Sequence, residues 1–294
     1  MRKYIGELGL AVVAIIWGSG FVASAVSLEH FTPYQILAIR FLIGIILLSL
    51  VFFKKLKNIK KSTIIKGSII GVFLYLAFAL QTVGLVYTTP SKNAFLTAVN
   101  VVIVPFIAFF IFKRKMDKFE LFGAMLAIVG IGILSLKLSG GVNFGDFLTL
   151  LCAVAFAFHI FCTAQFVKTE DPVLLTVVQM AAATVLGFMV VLFKGETNFV
   201  ANVEGVSAVL YLGVFSTTIA FLLQTVAQKY TSETKAAIIL STEAFWGMVF
   251  SIIILSEVLT AKMAIGATLI LAAIIISETK PKFLGKRHRK EVRE

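Results

Sequence analysis

Charge is scarce in this sequence: only 14% of its 294 residues are Asp, Glu, Lys or Arg, against roughly 25% in a soluble domain. With 59% of residues hydrophobic and a mean hydropathy of +0.99, no water-facing coat can be assembled. Lipid removes that requirement, because it solvates apolar side chains directly. Cysteine is nearly absent too. Cys152 and Cys162 share one apolar run ten residues apart, about 15 Å along a helix, which excludes a disulfide between them. Three histidines are scattered through the chain, with no metal-ligand spacing and no catalytic triad pattern. There is no nucleotide-binding motif, so the chain carries no ATPase of its own. The sequence implies no cofactor.

Long apolar runs are what it does have. A spanning helix needs about 20 mostly apolar residues, and that length fits ten times: 8–28, 33–53, 64–87, 93–112, 118–137, 145–166, 173–193, 205–227, 234–256 and 261–278. Arg2 and Lys3 before the first run, with Ala23-Ser24-Ala25 after it, resemble a cleaved leader. Trp17, Gly18 and Ser19 interrupt the run, and cleavage would destroy the repeat described below. Pro33 and Pro172 each open a span, where a missing N–H costs nothing. Asp117 with Glu120 has capping-box spacing. Gly140-Gly141 with Asn143 marks a connection between halves.

The net charge of +12 is a topology signal rather than a nucleic-acid footprint. With the N-terminus in the cytoplasm, 22 basic residues fall on the cytoplasmic side and 4 outside, with Arg40 inside a span. That imbalance predicts a multi-pass protein of the plasma membrane with both termini inside. The basic tail 280–294 is expected to lie near anionic lipid.

The chain matches itself. Residues 78–94 and 221–237 are identical at nine of seventeen positions, including Gln81/Gln224 and Thr82/Thr225. The offset of 143 also pairs Gly123 with Gly266 and Asn100 with Glu243, while an offset of 139 pairs Thr32-Pro33 with Asp171-Pro172 and Arg40 with Gln179. Each half holds five spans, so the second enters the membrane from the opposite face. Inverted repeats of this kind are a recurring transporter architecture, with alternating access around a site near the midplane. Channels and membrane enzymes also arise by duplication. A channel would need a polar stripe along several helices, an enzyme a reactive cluster, and a receptor longer loops.

These residues resemble the EamA family of the drug/metabolite transporter superfamily. The resemblance rests on Trp17-Gly18-Ser19-Gly20-Phe21, Ala38-Ile39-Arg40-Phe41, Ser241-Thr242-Glu243, Ser256-Glu257-Val258-Leu259-Thr260 and Gly266-Ala267. It implies two units, 8–136 and 146–277, and ten transmembrane helices around a central cavity. It further implies a plasma-membrane carrier of metabolites, often an exporter of amino acids or drug-like compounds. The family usually has Pro after the first carboxylate of the ninth span. Ala244 stands there, whereas the first half keeps Pro105, so the ninth span is expected to bend less.

Ionisable groups inside a span cost about 2.5–3.5 kcal/mol at a helix centre on insertion scales and should face a cavity or a partner. Glu243 lies nine residues into the ninth span, and a carboxyl at that depth could exchange a proton for substrate, or lock two helices by a hydrogen bond. His159 could accept a substrate carboxylate, pass a proton or bond a neighbouring helix. Arg40 is a candidate counter-charge, with snorkelling to the outer interface as its alternative. Asn100, Gln81 and Gln224 can line a cavity or cross-link helices, as can Gln165. Trp17 and Trp246 lie deeper than interfacial anchors and suit cavity walls. Gly123, Gly130, Gly132 and Gly266 let the fifth and tenth spans pack together or mediate a homodimer. The expected partners are a small-molecule substrate, protons and lipid, and no nucleic acid. The alternative is a membrane-embedded enzyme or receptor.

Overall fold

The structure, a computed structural model, describes residues 2–113, 116–135, 142–200, 202–230 and 239–279. Gly140-Gly141, the start of the expected ninth span and the basic tail lie outside them. The described residues form helices and no strand. Eight helices are apolar and long enough to cross a membrane, and two shorter apolar ones, Ile239–Leu255 and Ala261–Ser277, stand where the ninth and tenth spans are expected. The protein is an all-α membrane protein built from two inverted five-helix halves.

Helix starts follow from local chemistry. Thr32 caps the second span (Pro33–Val51): its hydroxyl accepts from the Gln35 N–H at 3.2 Å, and Gln35 Oε1 accepts from the Thr32 N–H at 3.1 Å. Asp171, its counterpart at offset 139, caps the seventh (Pro172–Lys194) by accepting from the N–H groups of Val173 and Leu174. Such caps contribute about 1 kcal/mol each. Asp117 and Glu120 form the expected capping box, and Asn143 caps the sixth span (Phe144–Phe166). The fourth span begins three residues before the hydropathy run, because Thr89 caps it and Pro90 supplies its first turn.

The packing has a two-fold pattern. The third span (Lys61–Leu85) packs on the sixth and seventh, and the eighth (Val203–Gln228) packs on the first (Arg2–Leu28) and second in the same way. The second packs on the seventh, the fourth on the ninth and the fifth (Lys118–Ser135) on the tenth, each against its own counterpart. The last pair touches through small residues. A Cβ on Gly130 would stand 2.9 Å from the Ile270 side chain and 3.1 Å from the Gly266 carbonyl, so only glycine permits this approach.

The two ends of the second span identify the two faces of the molecule. At its start, Thr32 donates to the Glu196 carboxylate and Gln35 Nε2 donates to the Glu196 carbonyl at 2.8 Å. Beyond its other end, Lys55 Nζ lies 2.9 Å from Asp171. On that same end Lys66 pairs with Glu170 at 2.7 Å, and the Thr63 hydroxyl donates to Glu170 at 2.6 Å. The bonds from Lys66 and Thr63 hold the Glu170 carboxyl well below its usual range, at about 2. On the Glu196 side, Lys92 pairs with Asp146 at 2.6 Å, and Glu257 accepts from the Ser91 hydroxyl at 2.7 Å.

Three spans depart from a continuous α-helix. The fourth is two helices, Pro90–Ala98 and Asn100–Phe112, separated at Val99. Pro105 deprives this region of one ladder N–H, which weakens it there. The ninth is interrupted at Thr242, and Glu243–Leu255 follows. Thr242 is Val99 plus 143, so both breaks fall at the same place in the repeat. The ninth span, with Ala244 where the family usually has proline, is interrupted at this place all the same. There Thr242 turns its hydroxyl onto the Ile239 carbonyl at 2.7 Å, competing with the helix ladder. Both broken helices end on a left-handed residue, Lys113 (φ 52°) and Ser256 (φ 53°), again 143 apart. The eighth span carries a π-helical stretch, Leu212–Ile219, a geometry that frequently marks functional sites.

Candidate functional site

The breaks in the fourth and ninth spans and the π-helical stretch converge on one partly open cavity. Its walls come from both halves. Trp17, Arg40, Phe78, Gln81 and Asn100 face Phe156, His159, Phe221, Gln224 and Glu243 across it.

An aromatic frame forms the middle. Phe78 and Phe221 are counterparts at offset 143, and their rings meet at 5.9 Å between centroids. Trp17 packs on Phe221 at 5.0 Å, and Phe156 packs on Phe78 at 5.1 Å. Trp17 and Phe156 are themselves 139 apart, so the frame is one two-ring contact made twice. Such contacts contribute about 0.5–1.5 kcal/mol beyond their buried area.

Polar groups hang on this frame unequally. Arg40 is 1% exposed, so it does not snorkel to the interface. Its Nε donates to Thr217 Oγ1 at 2.8 Å and its Nη2 donates to Ser216 Oγ at 3.4 Å. Its guanidinium lies 4.1 Å from the centre of the Phe78 ring. Ser216 and Thr217 lie within the π-helical stretch, and the Ser216 carbonyl accepts from Trp17 Nε1 at 3.0 Å. Gln179, Arg40's counterpart, instead holds His159, with 2.8 Å between Gln179 Oε1 and His159 Nε2. Glu243 is 7% exposed and opens its helix at the break. Its carboxylate makes no hydrogen bond or ion pair among the described residues. Asn100, its counterpart, opens the equivalent helix with a neutral side chain whose Oδ1 is buried without a partner, as is Gln224 Oε1. Gln81 Nε2 donates to Thr97 at 3.0 Å.

The structure therefore brings Trp17, Arg40, Gln81, Asn100, His159, Gln224 and Glu243 together. Trp246 stands outside the lining. It packs beside Phe245 and Phe250 and lies against Gly18. Its depth matches that of Glu243, but three residues turn a helix by about 300°, and that rotation carries the ring onto the first span. Gln165 sits at an exposed end and accepts from Lys168. Phe78, Phe156, Phe221, Ser216 and Thr217 complete the site without having been singled out in the sequence. Phe78 and Phe221 open the seventeen-residue self-match, a signal that could have found them. Among the described residues no cluster of His, Cys, Asp or Glu could hold a metal ion.

Comparison with known proteins agrees with this architecture. The model of the EamA-like transporter family matches residues 4–136 and 143–279. A protein of Archaeoglobus fulgidus described as an uncharacterized transporter is 35% identical over 276 residues, 94% of this chain and 86% of its own. A probable amino-acid metabolite efflux pump of Salmonella typhimurium is 24% identical over 94% of this chain and 95% of its own length. A solved crystal structure superposes with a TM-score of 0.70 over 95% of this chain and 98% of that one, at 14% identity, a likeness of fold alone.

Proposed function

The chain belongs to the EamA-like transporter family, and from that premise we propose that it is a secondary carrier exporting a small metabolite, such as an amino acid or a drug-like compound, by alternating access. Its place is the plasma membrane, with both termini in the cytoplasm. The observation that supports this reading best is the cavity where the two inverted halves meet, lined by a buried guanidinium and a buried carboxylate that have no ionic partner among the described residues. Groups of that kind are costly in a membrane interior. They are retained where a ligand or an ion completes them in turn.

Glu243 is the residue for proton exchange. It is the sole acidic side chain in the cavity wall, and it sits at a helix break. A carboxylate there can hold a proton on one side of the cycle and release it on the other. His159 is engaged by Gln179, which leaves it a secondary candidate. Gln81, Asn100, Gln224 and Trp17 shape the pocket around the substrate. The fifth and tenth spans spend much of their small-residue surface on each other within one chain, and any homodimer would use their remaining faces.

The test is flux in liposomes with and without a pH gradient. Accumulation that needs the gradient supports proton exchange. Equal flux without it removes obligatory coupling and leaves a facilitator. A chain that moves no metabolite under either condition would favour an enzyme or a receptor.

A further inference from the structure

The carrier reading leaves open what the substrate looks like, and the Arg40 wall bears on that. Resting on that reading only in taking the cavity as the substrate's site, we infer that Arg40 is the specificity-determining residue, seating a carboxylate-sized anion carried by an otherwise apolar ligand. We also infer that the π-helical stretch at Ser216 and Thr217 positions it.

The argument is one of charge and donors. A guanidinium has five N–H donors in a planar fork. Thr217 takes Nε and Ser216 takes one hydrogen of Nη2. Nη1 makes no hydrogen bond among the described residues. Phe78 covers one face of the plane at 4.1 Å, which leaves the fork's edge for a ligand. A buried charge without a counter-charge is strongly unfavourable, and two neutral hydroxyls with a ring face offset only part of that cost. Glu243 lines the same cavity but forms no ion pair with Arg40. The missing partner is therefore a ligand anion. A single cation suits a single carboxylate better than a doubly charged phosphate. Phe78, Phe156, Phe221 and Trp17 supply apolar walls for the rest of the molecule.

The π turn explains how the fork is held. In a regular helix Ser216 and Thr217 would lie about 100° apart, and a π stretch narrows that angle, so both hydroxyls reach the same guanidinium. The equivalent positions in the third span are Phe73 and Leu74, in an uninterrupted α-helix, and neither side chain offers a hydroxyl.

The test is equilibrium binding to the purified full chain in detergent, at one fixed pH. The probes are 3-phenylpropionate, its neutral amide and 3-phenylpropylamine. The wild type should bind the acid at least about tenfold more tightly than the amide, the margin of one charge-assisted fork. It should bind the amine more weakly than the acid. Arg40→Gln should erase the preference for acid over amide, and Arg40→Lys should keep only part of it. Thr217→Val should weaken it, and Thr217→Ser should restore it, which a merely structural role for Thr217 would not do. The comparison of acid with amide in the wild type needs no variant to fold. Equal binding of acid and amide, tighter binding of the amine, no binding of the acid, or a preference that survives Arg40→Gln would each overturn the inference. A protein that prefers the acid yet moves no metabolite in liposomes would overturn the carrier reading and leave this inference standing.

Discussion

The two halves share a scaffold and differ in charge. Position by position, Trp17 matches Phe156, Phe78 matches Phe221 and Gln81 matches Gln224. Helix breaks fall at Val99 and Thr242, and left-handed caps at Lys113 and Ser256. Among the ionisable groups of the cavity, the match fails. Arg40 corresponds to Gln179, Asn100 to Glu243 and Gly20 to His159. The lesson is that symmetry is kept where backbone geometry needs it and lost among the ionisable groups of the cavity. One wall carries the cation and the other the carboxylate.

Glu243 and Asn100 put that contrast to its hardest test. Glu243→Gln makes the two breaks chemically alike, and gradient-driven accumulation in liposomes is expected to fall at least about tenfold, with downhill exchange retained. Undiminished accumulation would remove the proton role. A smaller effect is expected where the halves differ in bulk. A Cβ on Gly18 would stand 2.9 Å from the Gly247 backbone N, because Trp246 crowds the first span. The counterpart of Gly18 is already Ala157, beside Ile107 and Ile103. Gly18→Ala should cost about 1–3 kcal/mol of stability, whereas Ala157→Gly should cost about 1 kcal/mol or less. Thermal unfolding in detergent compares them, and equal losses would erase this distinction.

The smallest effect concerns the face bearing Glu170. Its carboxyl titrates near 2 rather than 4.5 because Lys66 and Thr63 donate to it. A group whose folded value is depressed stabilises the fold while ionised, and that contribution is lost as pH falls through the window from about 4.5 to 2. Glu170→Gln should flatten the pH dependence of the unfolding temperature within that window and leave neutral pH little changed. An unaltered acid limb would show that the bonds are too weakly held to matter.

Much of this was legible in the sequence for a physical reason. A bilayer forces each crossing segment to be apolar for a fixed length, so hydropathy counts helices. Duplication then made Asn100 and Glu243 identifiable as equivalents before any fold was known. Depth could be read for Trp17 and Trp246 alike, but the direction each ring faces depends on how its helix is turned against its neighbours. That is why one Trp lines the cavity and the other fills a niche over a glycine. The partners of Arg40 were out of reach, since Ser216 and Thr217 lie 176 and 177 residues away and meet it through a local rewinding of the helix. The missing proline at Ala244 bears only on how far the ninth span bends, whereas the interruption lies at Thr242, whose hydroxyl bonds the Ile239 carbonyl.

The second and seventh spans are fastened to each other near both of their ends, by Thr32 to Glu196 at one and Lys55 to Asp171 at the other. In this structure the pair is tied at both ends, and a carrier cycle that parted these two spans would have to break one tie or the other, the exposed Lys55–Asp171 pair contributing about 1 kcal/mol or less.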